Sequence, residues 1–493
     1  MRTSGRGRPR SGTRPSRPLV RRRPAAAHPA PGTLSATIRP PSGSADAREG
    51  YQLDIAVIGT GYVGLVTGAG LADFGNDVVC VDIAVHKIEA LNRSEIPIYE
   101  PGLDKIVSRN AAEGRLRFST DLPEAIRASR AIFIAVGTPP KPDGSADLRY
   151  VEDVARTIAK YMDGPKLVIT KSTVPIGTGR LIENIIAEAG HQHKASIVSN
   201  PEFLREGSAI EDFMKPDRVV IGASDAEAVQ LMKEIYAPLH SLEIPFVVTN
   251  VESAELIKYA ANGFLATKIS FINEIAVLCE RLGGDVQDVA RGIGLDSRIG
   301  PKFLQAGPGF GGSCFPKDTS AVADIARRYE YEFQIIEAVL RVNDDIKQRM
   351  IGKVADALGG DVKGKTIAML GLAFKPETDD MRDSPTIPLI RGLQERGATV
   401  RAYDPEAMEN SKAIFENVVY CEDAYKTAEG ADALVIATEW NEFRSLNLGR
   451  IRKALKQSVV VDLRNVYDPQ RMKTEGFTYV SVGRSEDAKK RGV

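Results

Sequence analysis

Residues 54–82 read Asp-Ile-Ala-Val-Ile-Gly-Thr-Gly-Tyr-Val-Gly-Leu-Val-Thr-Gly-Ala-Gly-Leu-Ala-Asp-Phe-Gly-Asn-Asp-Val-Val-Cys-Val-Asp. A short apolar strand over Asp54–Ile58 runs straight into Gly59-Thr-Gly61-Tyr-Val-Gly64. A helical pattern follows from Leu65 to Phe74, then a second strand from Asp77 that ends on the acid Asp82. A lone GxGxxG is a weak signal, but strand–GxGxxG–helix–strand–acid is the whole dinucleotide fingerprint. In it Gly59 makes the turn, Gly61 admits a pyrophosphate, and Gly64 lets helix and strand approach, with Tyr62 and Val63 inside the same turn. Asp82 is placed to hold ribose hydroxyls and to repel a 2′-phosphate, which selects NAD over NADP.

Working outward, two further strands end in polar residues. Ala131–Val136 enters Gly137-Thr138-Pro139, and Leu167–Thr170 enters Lys171-Ser172-Thr173-Val-Pro175. Ligands bind at the carboxyl edge of a parallel sheet, so Thr138 and Thr173 are site candidates, with helix capping as the alternative role. Ile197-Val-Ser199 leads into Asn200-Pro201-Glu202-Phe-Leu-Arg205-Glu206-Gly207, which reads as a site or as a charged solvent loop.

From Glu252 to Leu282 apolar residues recur at helical spacing, giving one long helix that links two domains. Its apolar surface suits contact with a second copy of itself, hence a homodimer. Lys258 and Asn262 lie four apart on one face, where a lysine and an amide could stabilise an oxyanion; an ordinary solvated lysine is the alternative.

After the helix comes Gly307-Pro-Gly-Phe-Gly-Gly-Ser-Cys314-Phe-Pro-Lys-Asp318. Its glycines leave backbone bare for a ligand. Pro316 suits the first position of a helix, so Cys314 stands ahead of a helix N-terminus and near Lys317. Both features predict a depressed thiol pKa and a nucleophile, against the commoner fate of a buried structural cysteine. Asp318 lies one turn on, within reach of protons or water.

The remainder repeats the first pattern. Strands at Lys365–Gly371, Thr399–Asp404, Asp432–Ala437 and Val459–Asp462 predict a second, smaller Rossmann-like unit. Its first turn is Gly371-Leu-Ala-Phe374-Lys375-Pro376, where a lysine replaces glycine and implies a different nucleotide held by side-chain charge. Arg382 and Arg464 could reach the same cleft. The fold class is therefore α/β: two doubly wound Rossmann-like domains, 53–250 and 346–493, joined by a central helical region, 251–345, that carries Cys314 and the dimer contact.

Composition narrows the function classes. Sixty-five basic and 65 acidic residues cancel, which gives a nucleic-acid or membrane role no support. No apolar run approaches the roughly 18 residues of a membrane span. Four cysteines without a CxxC pair argue against a disulfide framework or a zinc site and fit a reducing cytoplasm. His191 and His193 lack acidic or thiol companions and read as a surface loop, so no metal is expected. Residues 1–50 are rich in Arg, Pro, Ser and Ala, hold no Lys, and show no acid before Asp46; they read as a disordered extension. A targeting signal and a start placed too far upstream are the alternatives, and the natural start is expected near Leu53.

Seven motifs now stand in order: GTGYVG, IPIYEPGL (96–103), KSTVP (171–175), NPEFLREGSAIEDF (200–213), KYAAN (258–262), GFGGSCFPKD (309–318) and GLAFKPETDDMR (371–382). Together they resemble the UDP-glucose/GDP-mannose dehydrogenase family, and within it the UDP-glucose 6-dehydrogenases, from about Asp54 to Val482. The resemblance implies a four-electron oxidation of UDP-glucose to UDP-glucuronate by two NAD, through a thiohemiacetal and a thioester at Cys314. It assigns Lys258 and Asn262 to the developing oxygen charge, Asp318 and Thr173 to water, and Glu202 to the base of hydrolysis. Glu206 falls near cofactor and substrate, and Lys87, Lys317 and Arg382 on the cofactor side. Phe203, Leu204, Arg205, Phe303, Leu304, Gln305, Ala306, Gly307, Gly311, Phe374 and Lys375 match the sugar-nucleotide contacts. Arg298 matches an arginine that reaches a partner subunit's substrate. GDP-mannose or a UDP-N-acetylhexosamine is the alternative substrate. Gly70, where a larger residue is usual, is expected to cost only local helix stability.

Overall fold

The structure, a computed structural model, describes residues 53–141, 144–191 and 195–484. The extension 1–50 and His193 lie outside the described residues.

The first sheet holds β1 (Asp54–Ile58), β2 (Asp77–Val81), β3 (Leu116–Ser119), β4 (Ala131–Ile134), β5 (Lys166–Thr170), β6 (Ala195–Ser199), β7 (Val219–Gly222) and β8 (Phe246–Thr249), in the order β3-β2-β1-β4-β5-β6-β7-β8. All neighbours are parallel except β6 and β7, which meet antiparallel at Ser199 and Gly222. Strands β4 and β5 are buried along their whole length, which is why they read as unbroken apolar runs rather than alternating ones. The second sheet is wholly parallel: β9 (Thr366–Leu370), β10 (Thr399–Tyr403), β11 (Val418–Tyr420), β12 (Ala433–Ile436), β13 (Val459–Asp462) and β14 (Thr478–Ser481), ordered β11-β10-β9-β12-β13-β14. In both sheets the order reverses beside the first strand, and that reversal opens the crevice where such sheets take ligands.

A helix from Val251 to Leu282 joins the two units. Thirty-two residues give it a length of about 48 Å. The Asn250 side chain caps its start by accepting from Ser253 N, and Gly283 ends it at φ +85°. One glutamate near each end ties it to a different unit. Glu255 accepts from Gly177 N (2.7 Å) and Gly179 N (2.8 Å) at the start of the helix Thr178–Glu188. Glu280 accepts from Gly483 N and from Lys353, whose ammonium also donates to Ser481 O at the end of β14.

Gly70 corrects the sequence reading. A Cβ there would stand 2.3 Å from the Phe213 ring, which stacks on Phe74 (centroids 5.4 Å apart). The glycine is a packing requirement between the first helix (Tyr62–Asp73) and the segment Ala209–Met214, not a local weakness.

Candidate active site

At the first crevice, Gly59 and Gly64 are in close contact: a Cβ on Gly64 would lie 1.9 Å from Gly59 O. Gly61, the cap of the first helix, faces open space, so its bare backbone leaves a cradle over a helix N-terminus with no side-chain cap. Asp82 accepts from Thr60 N and Thr60 Oγ1 (both 2.8 Å) and from Ala84 N. Burial pushes its carboxyl up, but these bonds and the charge of Lys87 bring it below its ordinary value. It is thus held ionised beside the turn, as an NAD ribose requires; the residues fit the cofactor. Thr138 closes this edge by donating from Oγ1 to Thr173 O (2.8 Å). Val63 is half-buried in the helix start, and the Tyr62 hydroxyl donates to Glu100.

The second sheet carries an acid at the matching place, with a different outcome. Asp404 is fully buried and accepts from Leu372 N, Ala373 N, Trp440 Nε1, Glu406 N and Ala407 N. Its oxygens serve the turn itself and are not left for a ribose. Charge at this crevice comes instead from Lys375 and from Arg464, which donates to Ala437 O and Phe374 O and pairs with Glu439.

Between the sheets lies the thiol. Cys314 is the cap of the helix Phe315–Arg328, with Pro316 in its first two positions. Around it stand two tight pairs. The Lys258 ammonium donates to Glu202 Oε1 (2.9 Å) and Glu202 O (2.8 Å). Asn262 Nδ2 donates to Asp318 Oδ2 (2.6 Å). Lys258, Glu202, Asn262 and Asp318 are all buried. Burial pushes Glu202 up, yet Lys258 and Leu204 N bring it below the usual carboxylate range; for Lys258 burial lowers, while Glu202, Cys314 and Asp318 raise it overall. Both partners shift toward charge, so the pair is ionic.

The expected depression of the Cys314 thiol is not found. Burial pushes it up, Lys258 pulls down, and Glu202 and Asp318 push up again, leaving it above its ordinary value. Burial is the first reason; in addition, the Lys317 ammonium sits on Asp318 Oδ1 at 2.5 Å, which leaves Lys258 as the cation that favours the thiolate.

A second cluster joins the units. Glu206 accepts from Ser313 Oγ (2.9 Å), which also contacts Cys314 Sγ at 3.4 Å, and from Arg382 (3.3 Å). Lys375 donates to Glu206 O, and Arg382 also pairs with Asp380. Phe374 packs its ring against Gly312, while Gly311 abuts the backbone of Asp383. Gly307 N donates to Asn273 Oδ1; Leu304 and Ala306 are buried, Gln305 is exposed, and Phe303 sits at φ +65° edge-on to Phe315. Phe203 lies under the Arg218 guanidinium, 3.5 Å from its centroid. Two arginines stay outside these clusters: Arg205 turns to Asp212, and Arg298 pairs with Asp296 with most of its side chain exposed.

Sequence reasoning passed over Ser313, Glu100 and Lys171. Each sits inside a quoted motif, but only the fold shows Ser313 between Glu206 and Cys314, and Glu100 accepting from Gly207 N and Ala209 N beneath Glu206.

A dinucleotide crevice, a second nucleotide-type crevice and a half-buried thiol between them define a class, the NAD-dependent oxidoreductases with a separate substrate-nucleotide domain. Family models of the UDP-glucose/GDP-mannose dehydrogenases match in three consecutive segments: the NAD binding domain over 53–240, the central domain over 252–345 and the UDP binding domain over 368–469. The chain is 54% identical over 437 residues to UDP-glucose 6-dehydrogenase of Rhizobium meliloti (strain 1021), covering 88% of this chain and 100% of that one. It is 51% identical to UDP-glucose 6-dehydrogenase TuaD of Bacillus subtilis (strain 168), covering 87% and 93%. A solved UDP-glucose dehydrogenase from the hyperthermophilic archaeon Pyrobaculum islandicum superposes with a TM-score of 0.83 at 43% identity, covering 89% and 99%. The chain belongs to the UDP-glucose/GDP-mannose dehydrogenase family.

Proposed function

We propose that the protein oxidises UDP-glucose to UDP-glucuronate in four electrons, with two NAD per sugar, through a covalent adduct on Cys314. The observation that carries this reading is a thiol at a helix start, enclosed by the Lys258–Glu202 and Asn262–Asp318 pairs between two nucleotide crevices. The turn Gly59–Gly64 with Asp82, Lys87 and Thr138 would hold NAD, which when bound takes two electrons and a hydrogen from C6 at each oxidation. Phe374, Lys375 and Arg464 would hold the UDP, and Phe203–Arg205, Phe303–Gly307 and Gly311 the sugar side.

Lys258 and Asn262 stabilise negative charge on the C6 oxygen as the alcohol becomes an aldehyde. The Cys314 sulfur then bonds to C6; the carbonyl π pair moves to oxygen, which takes the thiol proton, and a thiohemiacetal results. Its oxidation gives a thioester. Water oriented by Asp318 and Thr173 adds to C6, Glu202 takes its proton, and the C6–S bond breaks with the pair returning to sulfur. One sugar nucleotide, one water and two NAD become UDP-glucuronate, two NADH and three protons. The covalent hold keeps the aldehyde in place for the second oxidation.

A thiol held above its ordinary pKa stays protonated until the aldehyde forms, which spares it from side reactions. All four cysteines are free thiols, which suits the cytoplasmic location assigned here. A second copy is assigned to the exposed apolar line of the central helix, giving a homodimer in which Arg298 reaches the partner's substrate.

Limiting UDP-glucose with excess NAD tests the reading. Two NADH per sugar, abolished in Cys314→Ala, are expected. One NADH per sugar would overturn the four-electron route. Two NADH only with GDP-mannose or a UDP-N-acetylhexosamine would overturn the substrate and keep the chemistry.

A further inference from the structure

Thioester hydrolysis returns an electron pair to sulfur, and a proton has to follow it. Burial, Glu202 and Asp318 all raise the Cys314 thiol, so a bare thiolate is disfavoured here. The charged groups around the sulfur are engaged elsewhere. Glu202 has Oε1 on Lys258 and Oε2 on Leu204 N (2.6 Å), and Asp318 accepts from Asn262 and Lys317. Among the described residues, the one hydrogen-bond contact of Cys314 Sγ is Ser313 Oγ, at 3.4 Å.

A serine hydroxyl has one hydrogen to give and lone pairs to receive. Ser313 gives its hydrogen to Glu206 Oε1 (2.9 Å), so in its contact with Cys314 the thiol donates and the serine oxygen accepts. The three groups then read S–H, O–H, carboxylate. Moving one proton along each bond turns them into thiolate, O–H, carboxylic acid, with Ser313 now donating to sulfur. Neither side chain has to turn. Glu206 is built to hold the proton at the far end. Facing it are Asp380, Arg382 (3.3 Å) and Thr378 Oγ1 (3.4 Å) from the second unit, with Lys375 on its backbone oxygen and Tyr62 on the cofactor side. Burial and Asp380 outweigh Arg382 and Ser313, and the carboxyl stands at about 7, so both states are populated near neutral pH.

We propose that Ser313 is a catalytic residue of thioester hydrolysis, carrying a proton from Glu206 to the Cys314 sulfur as the C6–S bond breaks. The C6–S pair becomes the S–H bond with the hydroxyl hydrogen of Ser313. The proton of Glu206 replaces that hydrogen, and Glu206 is left as a carboxylate. Solvent then returns one proton to Glu206, while Glu202 and the new carboxylic acid release two, a net release of one in this step. Glu206 acts through Ser313 and does not touch the sugar carbon. This rests on the thioester reading above.

Decay of the Cys314 adduct in single-turnover reactions, followed by intact mass after rapid quenching, tests the relay. Glu202 is held below the usual carboxylate range and stays ionised above pH 6, so its limb lies outside the window. In the wild type the decay rate should fall about tenfold from pH 6 to pH 8 as Glu206 loses its proton. A rate that is level or rises over that window overturns the inference without any variant. Ser313→Ala and Glu206→Gln should each slow decay about tenfold at pH 6 and flatten the profile, meeting the wild-type rate near pH 8. Ser313→Thr keeps the hydroxyl and should restore both rate and slope. Ser313→Ala with the wild-type rate and slope overturns the inference, and means that Glu202 passes on the proton it took from water. Slower decay that keeps the wild-type slope shows a structural role alone and overturns it as well. Absence of any Cys314 adduct in the wild type is a different failure: it overturns the thioester reading and takes this inference with it.

Discussion

Lys258 and Glu202 meet at 2.9 Å with only 4% and 5% of their side chains exposed, an ion pair shielded from water within the cluster around Cys314. Removing one partner of such a pair costs more than the pair is worth, because the other charge stays buried. Lys258→Met is expected to lose about 3 kcal/mol, the lower end of the usual range because Leu204 N still donates to Glu202 Oε2. Lys258→Met/Glu202→Gln should regain much of that loss and no activity. Guanidinium unfolding at pH 7 of the wild type, both single variants and the double variant gives the coupling. A double variant no more stable than Lys258→Met would show that the pair is not what holds the cluster.

Glu206 has the opposite sign. Burial first, and then the charge of Asp380, raise its carboxyl to about 7, against the pull of Arg382 and Ser313. A group whose folded pKa exceeds its unfolded value gives stability that is full below about pH 4.3 and is lost as pH climbs through 7. Glu206→Gln keeps an acceptor for Ser313 and cannot ionise. Its stability relative to wild type should therefore improve between pH 6 and pH 8, by on the order of 1 kcal/mol. Thermal unfolding at the two pH values measures this, and a variant that loses ground at pH 8 contradicts it.

Gly70 sets helix propensity against packing. Propensity alone makes Gly70→Ala stabilising by about 1 kcal/mol. The Phe213 ring 2.3 Å from the added Cβ makes it destabilising, by about 1–3 kcal/mol for an overpacked core site. Packing should win, and Gly70→Ala should unfold at lower denaturant than wild type. Phe213→Leu in the same chain should return part of the loss. A stabilised Gly70→Ala would mean that the ring moves aside freely.

The contrast between these sites explains what could be read without coordinates. Strands β1, β2, β4, β5 and β6, the first helix and the central helix announce themselves because each is a sustained apolar pattern bounded by glycine or a cap. The edge strands β3, β11 and β14 escaped because each is only partly buried and so is no unbroken apolar run, whereas the equally short β4 and β13 are buried throughout. β7 and β8 were also passed over; β8 is an edge strand with Val247 and Val248 exposed, so its apolar face does not alternate as a core strand's does. Chemistry-bearing residue types were legible from motif spacing: Cys314, Lys258, Asn262, Asp318 and Glu202 do converge. What spacing cannot supply is a partner from another segment. Spacing misses the thiol pKa because burial dominates it while Lys317 turns to Asp318, and it misses the role of Gly70 because its neighbour Phe213 lies far along the chain.

The last prediction concerns the face of the central helix that this chain leaves uncovered. Leu256, Phe264, Phe271 and Leu278 follow one another at intervals of seven or eight residues and are 47%, 67%, 52% and 48% exposed. Residues at that spacing lie along one line of a helix, the geometry of a helix–helix seam. Isolated exposed apolar residues are unremarkable, but four in register on one helix are the kind of patch that a second copy covers. Phe264→Asp places a charge in the middle of the line, where pairing would bury it without a partner. In a single chain the position faces solvent, so the change should cost within about 0.5 kcal/mol there. Sedimentation equilibrium should give the mass of two chains for wild type and of one for Phe264→Asp, with unaltered far-UV circular dichroism. A wild-type monomer, or a variant that still sediments as two chains, would remove the helix face from the interface.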